Sequence, residues 1–159
     1  MIPLDAIDQE ILRILQTEGR IPNAELARRI GLTPPPTLER VRRLERSGVI
    51  RGYAARVDPE ALGRRLTVFA SVSLAMHQGG VVEDFMAAVR ELPEVLECHH
   101  LTGDADYLLK VVVADTRDYE RLLRERMIRL PGVQRIQSSV VLSTVKEETH
   151  IPLSPSEVQ

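Results

Sequence analysis

Arg40, Arg42, Arg43 and Arg46 crowd into seven residues of this 159-residue sequence. A guanidinium can hydrogen-bond bidentately to guanine O6 and N7, or it can hold a phosphate. Residues 33–57 carry six Arg against two Glu, so the chemistry on offer there is recognition of a polyanion. A second pointed stretch is Thr102-Gly103-Asp104-Ala105-Asp106. Backbone amides near Gly103 could hold a carboxylate, and Asp104 or Asp106 could pair with an ammonium. On residue types alone the same stretch is also an ordinary hairpin turn.

The arginines need a rod to carry them. Asn23–Ile30 has the pattern of a short helix closed by Gly31, and a Gly-Leu-Thr hinge leads to a second helical stretch that stops at Ser47-Gly48. At about 100° per residue, Thr37, Val41 and Leu44 share one side of that stretch. Glu39, Arg42, Arg43 and Arg46 share the other, with Leu38 and Arg40 on the flanks. A helix, a tight turn and a basic helix place a rod in the major groove of DNA. The competing interpretation is a solvated face with a Glu39–Arg43 pair one turn apart. It suits any single arginine better than the set. Pro34-Pro35-Pro36 opens the basic helix, and because the residue before a proline is pushed away from α, the helix proper is expected near Pro36.

A first helix precedes these two. Asp5 can cap it, Asp8 sits in its first turn, and Ile7, Ile11, Ile14 and Leu15 recur at helical spacing before Gly19. Gly48–Val57 reads as a turn with one or two short strands, a small wing from which Arg51 and Arg56 could reach phosphates. Asp58–Gly63 reads as a single capped turn, so residues 58–65 form a linker between an N-terminal domain, 1–57, and a second domain, 66–145, followed by a tail, 146–159.

Composition narrows the function classes. Hydrophobic residues make up 43% of the chain and aromatics 3%, with no Trp. An aliphatic core is implied, and a base-stacking platform for single strands is argued against. One cysteine, Cys98, excludes an internal disulfide and a multi-cysteine zinc site. No apolar run approaches the ~18 residues of a membrane span, and the first residues lack a signal-peptide pattern, so a soluble cytoplasmic protein is expected. The net charge of −2 is split: residues 1–65 hold twelve Lys/Arg and nine Asp/Glu, net +3, whereas residues 66–159 hold nine and fourteen, net −5. Nucleic acid at one end only is the simplest implication.

The second half repeats itself. Leu92-Pro93-Glu94-Val95 recurs as Leu130-Pro131-Gly132-Val133. Val81, Phe85, Val89 and Leu92 match Tyr119, Leu123, Met127 and Leu130, and Phe69 matches Tyr107. Each helical set follows one apolar run (Val68–Leu74, Tyr107–Ala114) and precedes another (Val95–Leu101, Val133–Leu142). Strand-helix-strand twice over is the ferredoxin-like βαββαβ sandwich. Its helices cover one sheet face, and a second copy would cover apolar side chains on the other. The overall expectation is α+β: a winged helix-turn-helix followed by this sandwich.

No catalytic, metal or cofactor site is expected. His99 and His100 are adjacent on a strand and point to opposite faces, so they cannot share one metal, and packing in the core or at an interface is expected for them. His77 and His150 have no partners at ligand spacing, Cys98 reads as buried packing, and Gly79-Gly80 is a loop. The polar end, Ser154–Gln159, is expected to be mobile.

Several stretches together resemble the Lrp/AsnC, or feast/famine, family of regulators: Leu4-Asp5-x-Ile7-Asp8, Gly19-Arg20-Ile21, Glu25-Leu26-Ala27, Arg40-Val41-x-x-Leu44-Glu45, Gly48-Val49-Ile50, Leu130-Pro131-Gly132-Val133, Val145-Lys146 and above all His100–Tyr107. The resemblance implies a winged helix-turn-helix and a ferredoxin-like effector domain, called RAM, in dimers commonly built into tetramers or octamers. It implies a transcriptional regulator of double-stranded DNA rather than an enzyme, controlled by a small effector, expected to be an amino acid. DNA contacts are then expected at Thr33, Pro35, Glu39, Arg40, Arg42, Arg43, Arg46 and Arg51, and effector contacts at Thr102, Gly103, Asp104 and Asp106. The sequence departs from the family at Pro22, where a Ser cap is common, and in the richness of proline at 34–36. Some relatives are tetrapyrrole decarboxylases. An effector-binding or enzymatic protein without DNA function is therefore the alternative, against which the intact basic helix stands.

Overall fold

The computed structural model describes residues 3–75 and 80–153; His77, Gly79 and Ser154–Gln159 lie outside them. Two compact units emerge: residues 1–56 with 146–159, and residues 57–145. The segment after 145, set apart as a tail by sequence, belongs with the first unit.

The first unit holds three helices, α1 (Ala6–Thr17), α2 (Asn23–Arg29) and α3 (Pro34–Arg46). Asp5 caps α1 by taking the Asp8 amide at 2.8 Å, and Asp8 returns the favour to the Asp5 amide at 3.2 Å, a reciprocal box that satisfies two orphan donors. Pro22 leaves α2 without a side-chain cap; Asn23 instead turns its Nδ2 to the Pro34 carbonyl at 2.8 Å. Ile11, Leu12, Ile14, Leu26 and Leu44 form the core.

α3 starts at Pro34, two residues earlier than the prolines suggested. The first helical amides have no intrahelical acceptor, so three prolines in the first turn forfeit no hydrogen bond. The ladder begins at Thr37, whose amide and Oγ1 both donate to the Thr33 carbonyl, at 3.3 and 3.0 Å. The expected strands of the wing are not formed: residues 51–57 are exposed and no described residue between 48 and 57 is in a strand.

The last described residues are fastened to α1. Gln16 Oε1 accepts the Ile151 amide at 2.7 Å, its Nε2 donates to the Ile151 carbonyl at 3.2 Å, and His150 Nε2 donates to the Gln16 carbonyl at 2.8 Å. Leu153 packs on the apolar core.

The second unit is the βαββαβ sandwich. Strands β1 (Leu66–Leu74), β2 (Val95–His100), β3 (Tyr107–Val113) and β4 (Val133–Val140) form one antiparallel sheet in the order β2-β3-β1-β4. Helices α4 (Val81–Arg90) and α5 (Thr116–Glu125) follow β1 and β3. Val68, Ala70, Val72 and Leu74 of β1 and Tyr107, Leu109, Val111 and Val113 of β3 face Phe85, Val89, Tyr119, Leu122 and Met127 in a closed core.

The repeat is real but slips. α4 and α5 start 35 residues apart, whereas β2 and β4 start 38 apart. A turn of 3-10 helix, Met127–Arg129, takes up the three-residue difference. Phe69 and Tyr107, aligned by sequence, face opposite ways. Tyr107 is buried in the core, while Phe69 pairs with Lys110 on the uncovered face. That face is less apolar than expected: Phe69 lies diagonal to both Leu108 and Val112, among Thr67, Ser71, Ser73 and Lys110.

Candidate nucleic-acid interface and ligand loop

Helix α3 buries Thr37 and Leu44, while Glu39, Arg42, Arg43 and Arg46 are exposed. Its arginines divide into two groups. Arg42 is exposed and makes no hydrogen bond or ion pair among the described residues. Arg46 pairs with Glu39 at 2.6 Å on the open surface, where the competing interpretation of the helix pairs Glu39 with Arg43. The Arg46 guanidinium, the main influence, holds the Glu39 carboxyl below its usual range.

Arg40 and Arg43 turn to the first helix. Arg40 Nη1 donates to Asp5 Oδ2 at 2.6 Å and to Asp8 Oδ1 at 2.9 Å, and Arg43 Nη2 donates to Asp8 Oδ2. Asp8 is fully buried. Burial alone would push the Asp5 carboxyl up, but the Asp8 amide and the Arg40 guanidinium outweigh it and hold Asp5 below the ordinary value. Sequence reasoning gave Asp8 only a place near the helix dipole. The missed signal was its position: Asp8 stands one turn from Ile11 and Leu12, on the apolar stripe of α1.

Thr33 and Pro35 are exposed at the start of α3, and Arg51 is exposed beyond its end. Arg56 reaches the Glu147 carbonyl at 3.5 Å. Tyr53 donates to Glu45 Oε1 at 3.1 Å, and burial together with that bond pushes its hydroxyl up to about 12.

In the second unit, Leu101–Asp106 joins β2 to β3. The Leu101 amide donates to the Asp106 carbonyl at 2.8 Å and the Asp106 amide to the Val72 carbonyl at 2.9 Å. Gly103 has φ +125°, and a methyl group there would meet nothing within 4 Å. Thr102 and Asp104 are exposed, and neither side chain bonds within the described residues. Asp106 differs: its Oδ2 accepts the Leu74 amide at 2.7 Å, which ties the loop to the end of β1. The four residues marked out by sequence thus share one turn, with Asp106 as its internal brace.

Two neighbouring positions depart from expectation. Cys98 is exposed, because β2 is an edge strand only partly covered by α4; partial burial still pushes its thiol up. His99 and His100 do face opposite ways: His100 stacks on Tyr107 with centroids 4.9 Å apart, while His99 bonds Glu97 at 3.0 Å. Both are exposed rather than packed in a core. No cluster of metal-binding side chains occurs among the described residues, and no helix among them is long and apolar enough to cross a membrane.

Comparison with known proteins bears on both sites. Residues 4–51 match a winged helix-turn-helix DNA-binding model, and residues 67–151 match the Lrp/AsnC ligand binding domain. The chain belongs to the Lrp/AsnC family. Leucine-responsive regulatory proteins of Salmonella typhimurium and Escherichia coli are 49% and 48% identical to it over 148 residues, 93% of this chain and 90% of each relative. A Neisseria meningitidis transcriptional regulator solved with L-methionine has a TM-score of 0.90 at 41% identity, covering 94% of this chain and 97% of the other. A feast or famine regulatory protein of M. tuberculosis, also complexed with L-methionine, has a TM-score of 0.86 at 37% identity, covering 94% and 100%. This Lrp/AsnC protein is accordingly a DNA-binding transcriptional regulator with a ligand-binding domain, and not an enzyme; its relatives do not favour the decarboxylase alternative.

Proposed function

We propose that the outward face of α3 enters duplex DNA sequence-specifically, that an amino acid bound at the Thr102–Asp106 turn controls that binding, and that the working form is an assembly of two or more copies in the cytoplasm. The observation that carries the DNA assignment is the exposure of Arg42 and Arg46 opposite the buried Thr37 and Leu44. Thr33, Pro35 and Glu39 lie along the same helix for base edges, and Arg51 is placed for phosphate.

For the ligand, amides around Gly103 suit a carboxylate and the unengaged Asp104 suits an ammonium, while Thr102 offers a hydroxyl. Asp106 contributes by holding the turn in shape. The L-methionine complexes of two relatives support an amino acid as the ligand class. Assembly is supported by the uncovered sheet face, where the half-buried Phe69 and Leu108 would meet their counterparts in a second copy. Effector control then requires only that the ligand bind two assembly or DNA-affinity states unequally.

A thermal-shift series over the twenty amino acids, with L-methionine and L-leucine leading, tests the ligand assignment. A ligand that selects the native state raises its unfolding temperature by mass action. The expected result is a concentration-dependent rise for at least one amino acid that Asp104→Ala abolishes. An Asp104→Ala protein that responds like wild type would remove the turn from the site.

A further inference from the structure

Of the described side chains buried completely in the DNA-binding unit, Asp8 alone carries a formal charge. It sits in a closed set of two acids and two guanidiniums. Its Oδ2 accepts the Asp5 amide at 3.2 Å and Arg43 Nη2, its Oδ1 accepts Arg40 Nη1 at 2.9 Å, and Asp5 Oδ2 shares that same Arg40 nitrogen at 2.6 Å. The first turn of α1 is thereby bolted to the middle of α3. A buried carboxylate stripped of its counter-charges is strongly unfavourable, so Arg40 and Arg43 are held at Asp8, with side chains 27% and 46% exposed against 62% for Arg46. Arg42 has no such partner, and Arg46 has only the exposed Glu39, a contact of the kind that exchanges readily with another anion.

We propose that Asp8 is the positioning residue for DNA recognition. It clamps Arg40 and Arg43 so that they set the height and roll of α3, and it leaves Arg42 and Arg46 as the guanidiniums that neutralise phosphate. The assignment rests on the DNA reading of α3. Of the four arginines on one helix, two read out as clamp and two as contact. Asp8 itself touches no DNA.

The two roles respond differently to salt. Each phosphate contact steepens the dependence of affinity on salt by about one unit of logarithmic slope. Removing a contact arginine flattens it, and removing a clamped one does not. Loss of the Asp8 charge acts in the opposite sense to simple damage. Arg40 and Arg43 are released, so binding to DNA of any sequence is retained or tightened, while the loosened helix loses its preference among sequences.

The test is fluorescence anisotropy across a salt series, using a mixed-sequence duplex and the duplex upstream of the protein's own gene. The proteins are full-length wild type, Arg42→Met, Arg43→Met and Asp8→Asn, each checked for folding by circular dichroism. Arg42→Met is expected to lower the slope by about one unit and Arg43→Met to leave it unchanged. Asp8→Asn is expected to keep mixed-sequence affinity and to lose about tenfold in discrimination, the effect of one spoiled base pair. An Arg43→Met slope that falls as far as that of Arg42→Met overturns the inference, as does undiminished discrimination in Asp8→Asn. Should Asp8→Asn fail to fold, the Arg42/Arg43 contrast decides alone. A wild type with no salt-sensitive complex refutes the DNA reading of α3 itself.

Discussion

Gln16 grips Ile151 by both backbone groups, accepting its amide at 2.7 Å and donating to its carbonyl at 3.2 Å. A primary amide matches a peptide group donor for acceptor, so one side chain on α1 completes the hydrogen bonding of a segment 135 residues away. The segment also delivers Leu153 to the apolar core of the DNA-binding unit. Residues 150–153, which follow β4 in the chain, therefore pack on the same unit that carries α3.

Gln16→Ala is expected to cost about 1 kcal/mol, the net worth of hydrogen bonds exchanged with water. In a chain of this size that lowers the unfolding temperature by about 2–4 °C. Truncation before Thr149 is expected to cost more, because Leu153 leaves with it. Calorimetry on both variants checks this, and an unfolding temperature unchanged by the truncation would contradict it.

The two aspartates of the ligand turn are expected to separate. Asp106→Ala orphans the Leu74 amide and removes a charged acceptor, at about 1.5–3 kcal/mol. The Asp104 side chain makes no hydrogen bond within the described residues, and its carbonyl, which accepts Ser73 Oγ at 3.4 Å, survives substitution, so Asp104→Ala is expected to stay within about 0.5 kcal/mol of wild type, its effect confined to ligand binding. Denaturant unfolding of the two variants side by side reads the difference; equal stabilities would contradict it.

Gly132 is where the two halves of the repeat cannot share a residue, since Glu94 occupies the matching place. Gly132 has φ +71°, and a Cβ there would strike the Val81 Cγ1 methyl at the start of α4. Gly132→Ala is expected to destabilise by about 1–3 kcal/mol through strained backbone and contact together. Thermal unfolding checks it, and a loss below about 0.5 kcal/mol would contradict it.

All three tyrosines are expected to titrate late. Burial leads in each case, joined at Tyr53 by the bond to Glu45, which brings that hydroxyl to about 12. A raised pKa in an acid means that the native state keeps its proton after the unfolded state has lost it. The resulting stabilisation is complete below about pH 10 and disappears as pH climbs toward 12. Tyr53 is 50% exposed, so water moderates the energy involved. Alkaline spectrophotometric titration is expected to show tyrosinate appearing above pH 10, with Tyr53→Phe removing a late component. Titration at the free-tyrosine value throughout would contradict this.

Local signals were legible and distant ones were not. The capping role of Asp5 and the strand-helix-strand repeat follow from periodicity and from residues three or four apart, which sequence spacing exposes directly. The clamp joins Asp8 to residues 32 and 35 positions away, and the Gln16–Ile151 grip spans 135. No local period encodes such meetings. Arg43 looked like its neighbours because helical angle says which side a residue faces, not which anion waits there. Cys98 was misjudged for a related reason: an apolar residue on a strand is buried only where a helix covers it, and coverage of an edge strand is a tertiary property.

The account turns on the outward face of α3, and the most direct measurement is the affinity of the Arg42→Ala/Arg46→Ala double variant for the upstream duplex across a salt series. Weaker binding at every salt concentration, with the logarithmic slope reduced by about two units, is the predicted result. A correctly folded double variant with the affinity and slope of wild type would contradict it.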